Sequence, residues 1–235
     1  PSTLGEEVAE YHRVGTSTEL ETHLFDATTD YGVPTLYAVQ TSQVDPELAQ
    51  VVAATCDIDP QRALAKIYRE LASLRIALRS HARGPRAQEI KGQDLTVVGG
   101  ALADADLSMR HVFDFLLEGE RPVHALDEIG TLPASRSRAD GVGGSAGSAG
   151  PDPLEQVVAN LERAGAEAIV VDITTDEARQ VGMHVIKALI PEAMPLSFSH
   201  HARYLATPRL YQAPRAMGLT VHDESGINPV RQPFA

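Results

Sequence analysis

Three places in this 235-residue chain hold residues whose types could do chemistry. Glu70 lies beside the apolar stripe of a helical segment, where a carboxylate is either solvated or orients a Mg2+ ion or a polar partner. Arg75 sits five residues on, about 140 degrees further round a helix, so the two do not pair directly. His184 and Lys187 share the run Met183 to Pro191, whose polar residues cannot all face a core. Lys187 is either solvent-facing or, on a strand near a phosphate, a strong point charge for it. The third place is the end of the chain. Asn228-Pro229 and Pro233-Phe234-Ala235 stiffen it, because proline fixes φ and lacks a donor. Such a terminus either frays or holds the Ala235 carboxylate in a useful position.

Self-contained site signatures are absent: there is no G-x-x-x-x-G-K-[ST], G-x-G-x-x-G or H-E-x-x-H and no cysteine pair. His200 and His201 are adjacent, and neighbours in a strand point to opposite faces, so they do not share a metal. The net charge of −12 excludes a general nucleic-acid or anionic-membrane surface. Cys56 is the single cysteine, so no intrachain disulfide forms, and a reducing, cytoplasmic compartment is expected. Its setting, Val51 to Cys56, reads as a strand with a buried structural thiol. No stretch approaches the ~20 apolar residues of a membrane span. The chain opens on Pro1 and not on Met, so either an initiator was removed or a longer chain was cut.

Positioning these residues requires the following elements. Residues 6–14 read as a helix with Gly15 as its C-cap, and strands follow at 21–26, 35–40 and 50–56. Asp59-Pro60 is an N-cap followed by proline at the first helical position. Leu64, Ile67, Leu71, Leu74 and Leu78 then recur at helical spacing, which predicts an amphipathic helix over 60–80. Residues 82–107 carry several glycines and read as irregular, and 109–117 as a helix. Residues 134–153 are Gly/Ser/Ala-rich, cannot bury enough apolar surface to offset ordering entropy, and form an expected mobile surface loop. Asp152-Pro153 opens another helix, ending at Gly165. Strands follow at 168–172 and within 183–191.

An internal echo runs through this order. Asp26-x-Thr-Thr-Asp30 and Asp172-x-Thr-Thr-Asp176 each follow a helix, a glycine and a strand, and each precedes another strand. Thr and Asp bonding local backbone at a strand end is the simple explanation. The fold expected is a single α/β domain over 1–235 with an internal α/β pseudo-repeat.

Leu24 to Pro34, the helix bearing Glu70, the run Val170 to Asp176, Gly182 to Pro191, Pro208 to Gly218 and Asn228-Pro229 near Pro233-Phe234 resemble the C-terminal portion of YcaO proteins. These are ATP-dependent enzymes that modify peptide backbones, and the azoline-forming cyclodehydratases resemble the chain most. The resemblance implies a YcaO-like fold portion of mixed sheets with packed helices. It implies ATP and Mg2+, a ribosomal precursor peptide whose Cys, Ser or Thr is cyclised, and a leader-peptide-binding partner protein. The matching family helix begins after D-P and carries Glu, then Gln, then Arg, where this chain has Glu70, Ser73 and Arg75. The candidate catalytic residues are therefore Glu70, Pro233, Phe234 and Ala235, the candidate cofactor-binding residues Arg75 and Lys187, and no metal ligand is assigned. The family tail resembles N-P-x-P-H-P-F-P, and this chain departs from it at Arg231, Gln232 and Ala235. Thioamide- or amidine-forming branches do not depend on that tail. The family's E-x-x-E-R-like glutamate motifs are not found in this chain. The nucleotide site would then come from an N-terminal segment, a partner chain or a homo-oligomer, and the alternative is a non-catalytic split or degenerate scaffold.

Overall fold

The computed structural model describes residues 5–16, 19–84, 89, 97–129, 152–197 and 199–231. The chain folds as α1 (Glu6–Gly15), β1 (Leu20–Asp26), β2 (Thr35–Ser42), β3 (Gln50–Cys56) and α2 (Pro60–Ala82), followed by α3 (Val97–Ala103), a 3-10 turn (Leu107–Phe113) and α4 (Asp114–Leu117). After the undescribed stretch come α5 (Pro153–Arg163), β4 (Ile169–Asp172), α6 (Asp176–Gln180), β5 (Ile186–Leu189) and α7 (Arg209–Ala216). The loop expected over 134–153 lies outside the described residues up to Pro151.

Among the described residues two antiparallel sheets form: β1-β2-β3 and the pair β4-β5. In the first, Ala38 stands opposite Ala53 and Val39 opposite Val52. Because side chains alternate, Leu36, Ala38, Val51 and Ala53 point to one face. There they pack with Val8 of α1 and with Ala63, Leu64, Ile67, Leu71 and Leu78 of α2. Val39 and Val52 point to the other face and meet Val112, Phe113 and the distant Val230. The sheet is thus covered on both sides. Ile67 and Leu71 are fully buried, and burying a side chain of that size contributes about 1.5–3 kcal/mol.

The start of α2 forms as its sequence predicts. Gln61 N–H donates to Asp59 Oδ1 at 2.9 Å behind Pro60. Its far end is tied down by Arg79 and Arg83, which lie 3.6 and 3.2 Å from Asp45. Burial pushes the Asp45 carboxyl up, but the Leu48 N–H and the two guanidiniums outweigh it and hold the acid ionised at lower pH than usual. Gly15 is not a C-cap, because α1 runs through it to Thr16. A Cβ at Gly15 would stand 2.5 Å from the Tyr68 ring, so glycine here serves the close approach of α1 to α2.

Other expectations change under tertiary packing. Residues 97–103 are helical despite Gly99-Gly100, because Ala101 and Leu102 bury against the core and override propensity. The helix expected over 109–117 is a 3-10 helix that widens into one short α-turn. Cys56 is exposed, not buried. The covering segment buries Val52 but leaves Ala54 and Cys56 in solvent. His200 and His201 lie in a 3-10 turn, not a strand, with ring centroids 5.6 Å apart.

Candidate functional site at the docked C-terminal segment

The last described residues are held against the domain by two arginines. Arg209, at the start of α7, forms a two-nitrogen ion pair with Asp30 in the β1–β2 connection, its Nη1 donating at 3.2 Å to Oδ2 and its Nη2 to Oδ1. Its guanidinium also stacks 3.7 Å over the Tyr31 ring. Both charged side chains are largely buried, which makes this planar, two-pronged pair worth more than an exposed one. Burial raises the Tyr31 hydroxyl, and the Arg209 charge opposes that rise. Arg203 donates through Nη1 to the Asn228 carbonyl at 2.8 Å. Asn228 Oδ1 in turn accepts from Val230 N–H at 2.9 Å, turning Val230 onto the sheet.

Around this segment lie three adjoining cavities. One of about 190 Å3 is lined by Arg203, Arg231, His200 and two serines. A second of about 450 Å3 is lined by Asp104, His111, His200 and Arg231, and a third of about 620 Å3 mainly by apolar side chains including Val112, Phe115 and Leu210. Val230 forms part of the wall of all three. Asp104 is 3% exposed, and its Oδ2 has no hydrogen-bond partner among the described residues. Burial pushes its carboxyl up, the Arg231 charge pulls it down, Asp106 adds to the rise and His111 opposes it.

The residues singled out from sequence are dispersed. Glu70 is exposed on α2, on the side of the sheet opposite Val230. Arg75 is 8% exposed. Its Nε donates to Gln40 Oε1 at 2.6 Å, Nη1 to Leu48 O at 2.9 Å and Nη2 to Gln40 O at 3.2 Å. Burial lowers its pKa to about 10, partly offset by Asp45. That environment ties α2 to the sheet. Lys187 is exposed on β5 opposite Val171. Pro233, Phe234 and Ala235 lie outside the described residues. Arg203, Asp104 and the Asp30–Arg209 pair were missed, because no motif joins positions so far apart. Their only trace was that the two stretches carrying Asp30 and Arg209 both belong to the resemblance.

The described residues do not by themselves fit a Mg2+ ion: no group of three His, Cys, Asp or Glu side chains among them could hold one. Among them, too, no helix is long and apolar enough to cross a membrane.

A mixed α/β unit whose terminal segment docks over its own sheet is the class these observations define. The chain belongs to the YcaO family: residues 3–194 match the family described as YcaO cyclodehydratase, ATP- and Mg2+-binding. Among solved structures, a heterocyclase in complex with substrate and cofactor superposes with a TM-score of 0.63 at 16% identity, over 98% of this chain and 28% of that one. The heterocyclase TruD gives 0.55 at 17% identity, over 98% and 28%. The fold is therefore that of the heterocyclases, and the chain spans 28% of the length of each. No curated protein matches it.

Proposed function

We propose that this chain is one part of an ATP-dependent cyclodehydratase that converts Cys, Ser or Thr in a ribosomal precursor peptide to azolines. An amide oxygen is a poor leaving group. Its phosphorylation lets the neighbouring side chain close on the carbonyl carbon, and the oxygen departs with phosphate. The observation that carries this reading is the family match over residues 3–194. The nucleotide-holding carboxylates come from an N-terminal segment, a partner chain or a second copy, and a leader-binding protein presents the peptide. Glu70 faces that completing portion from the outer side of α2, and Lys187 from β5. Arg75 acts at one remove, by fixing the helix that carries Glu70. Pro233, Phe234 and Ala235 continue the segment that Arg203 and Val230 already anchor.

Two features support completion from elsewhere. Both strands of β4-β5 are exposed along their whole length although their residues are mainly apolar, a pattern suited to strands covered on both faces. An isolated two-stranded pair is also marginally stable in water. The second reading is a non-catalytic split or degenerate scaffold that completes a partner or binds a precursor peptide.

Thermal melting with ATP and Mg2+ separates the two. The chain alone shows no shift beyond the one that inorganic phosphate or AMP without Mg2+ gives it at the same concentration. With the remaining portion of a heterocyclase supplied as a separate chain, nucleotide at 100 times its Kd stabilises by about 2.7 kcal/mol. A larger, Mg2+-dependent shift with this chain alone would show that it holds a complete nucleotide site. No such Mg2+-dependent shift in either mixture leaves the scaffold.

A further inference from the structure

We infer that the cavity of about 190 Å3 beside the docked C-terminal segment is an oxyanion site of the phosphate type, held chiefly by Arg231 and Arg203. The charged lining has one sign. Arg203, Arg231 and His200 line the cavity with Ser197 and Ser199, and among the described residues no carboxylate lines it, although the chain carries a net charge of −12.

Neither arginine forms an ion pair among the described residues. Among the described residues the Arg203 side chain donates to the Asn228 carbonyl alone, which takes one of its five N–H groups. The carboxyl whose charge bears on Arg231 is Asp104, in the neighbouring cavity, and burial works against its ionisation. Two like charges on one cavity repel, and a bound anion turns that repulsion into attraction. Guanidinium forks match the oxygens of a phosphate two at a time, which a single point charge does not. Leu205, Leu210 and Ile227 supply an apolar wall, which strengthens each such contact by excluding water. Arg231 also stands where the family tail has proline, so the site belongs to this chain and not to the general pattern.

Phosphate is the group that the proposed cyclodehydration transfers and releases, and the place of this site in that reaction rests on that reading. The binding itself does not. Inorganic phosphate is titrated into the chain without ATP, following 31P line width and melting temperature, with sodium chloride at matched ionic strength as blank. Acetate and AMP form parallel arms. Phosphate should broaden and stabilise where chloride does not. Arg231→Gln should weaken it by about 10-fold or more, the size of one lost charge-assisted contact, and Arg231→Lys should keep part of the affinity. AMP binding more tightly than phosphate, with the same sensitivity to Arg231→Gln, places the phosphate on a nucleotide. Tighter binding of phosphate places it as a free product. Binding no better than chloride, equal binding by Arg231→Gln, or acetate binding as tightly as phosphate overturns the proposal. No turnover is needed, so a failed nucleotide test with the completing portion leaves this result standing, and the reverse also holds.

Discussion

The two antiparallel connections that close with Asp-x-Thr-Thr-Asp are alike in their hydrogen bonds and opposite in their burial. In the first, Asp26 Oδ1 accepts from Thr28 N–H at 2.9 Å, and Thr28 Oγ1 accepts from Thr35 N–H at 3.0 Å. In the second, Asp172 Oδ1 accepts from Thr174 N–H at 2.8 Å, and Thr174 Oγ1 accepts from Val185 N–H at 2.8 Å. The residue between them donates across to Thr35 O and to Val185 O, both at 2.9 Å. The copies part at their second threonine: Thr175 caps α6, whereas Thr29 closes a tight turn at Gly32. Yet Leu36 and Ala38 of β2 are sealed under α2, while Val170 and Ile186 of the second pair are each 61% exposed. The same local code thus builds the same strand end in both places. Whether the strands become core is decided by what arrives to cover them.

The comparison breaks most visibly at Leu71. It is fully buried, and Leu71→Ala should cost about 2–5 kcal/mol, read by chemical denaturation. A loss below 1 kcal/mol would mean that the first sheet is no better covered than the second. A smaller effect of opposite sign is expected at Asp104. Its folded-state carboxyl is raised above its unfolded value, so the proton binds the folded form more tightly. The stability this provides is complete below the ordinary carboxylate range and is lost as pH rises through the raised value. Asp104→Asn should remove that loss and stabilise at neutral pH by about 1 kcal/mol, or 2–4 °C for a chain of this size. Melting curves at acid and neutral pH check this, and equal slopes for the two proteins would refute it. The smallest effect belongs to Val170→Ala in the exposed pair. Away from any core it should change the stability of the chain alone by less than about 0.5 kcal/mol. Once the completing portion is bound it should cost more, and a large loss in the isolated chain would show that β4-β5 is already covered.

The first sheet and α2 were legible because their signals are local: an N-cap followed by proline, a repeat of leucines at helical spacing, and strands bounded by turn residues. Helix α3 was not, since Gly99-Gly100 argues against it and only the burial of Leu102 argues for it. Helix α7 went unread because Pro214 sits inside it. The burial of Arg75 is a property of the strand it reaches, Gln40, thirty-five positions away. The cavities around the docked segment were the least legible part. They bring together Gly100, Arg203 and Arg231, positions that share no pattern in the chain. What could be read was that the terminus was stiff and that Arg231 stood in place of a proline.

The Asp30–Arg209 clasp joins positions 179 apart in the chain. The entropy of closing so long a loop must be met before the contact gives anything back, so nearby contacts form first and this one late. Helix α7 and the segment beyond it are therefore expected to reach their places only after the β1–β2 connection that carries Asp30 exists. Assembly order thereby acts as a checkpoint: a half-folded chain has no cleft to offer, because the walls supplied by Arg203, Val230 and Arg231 arrive only with this segment.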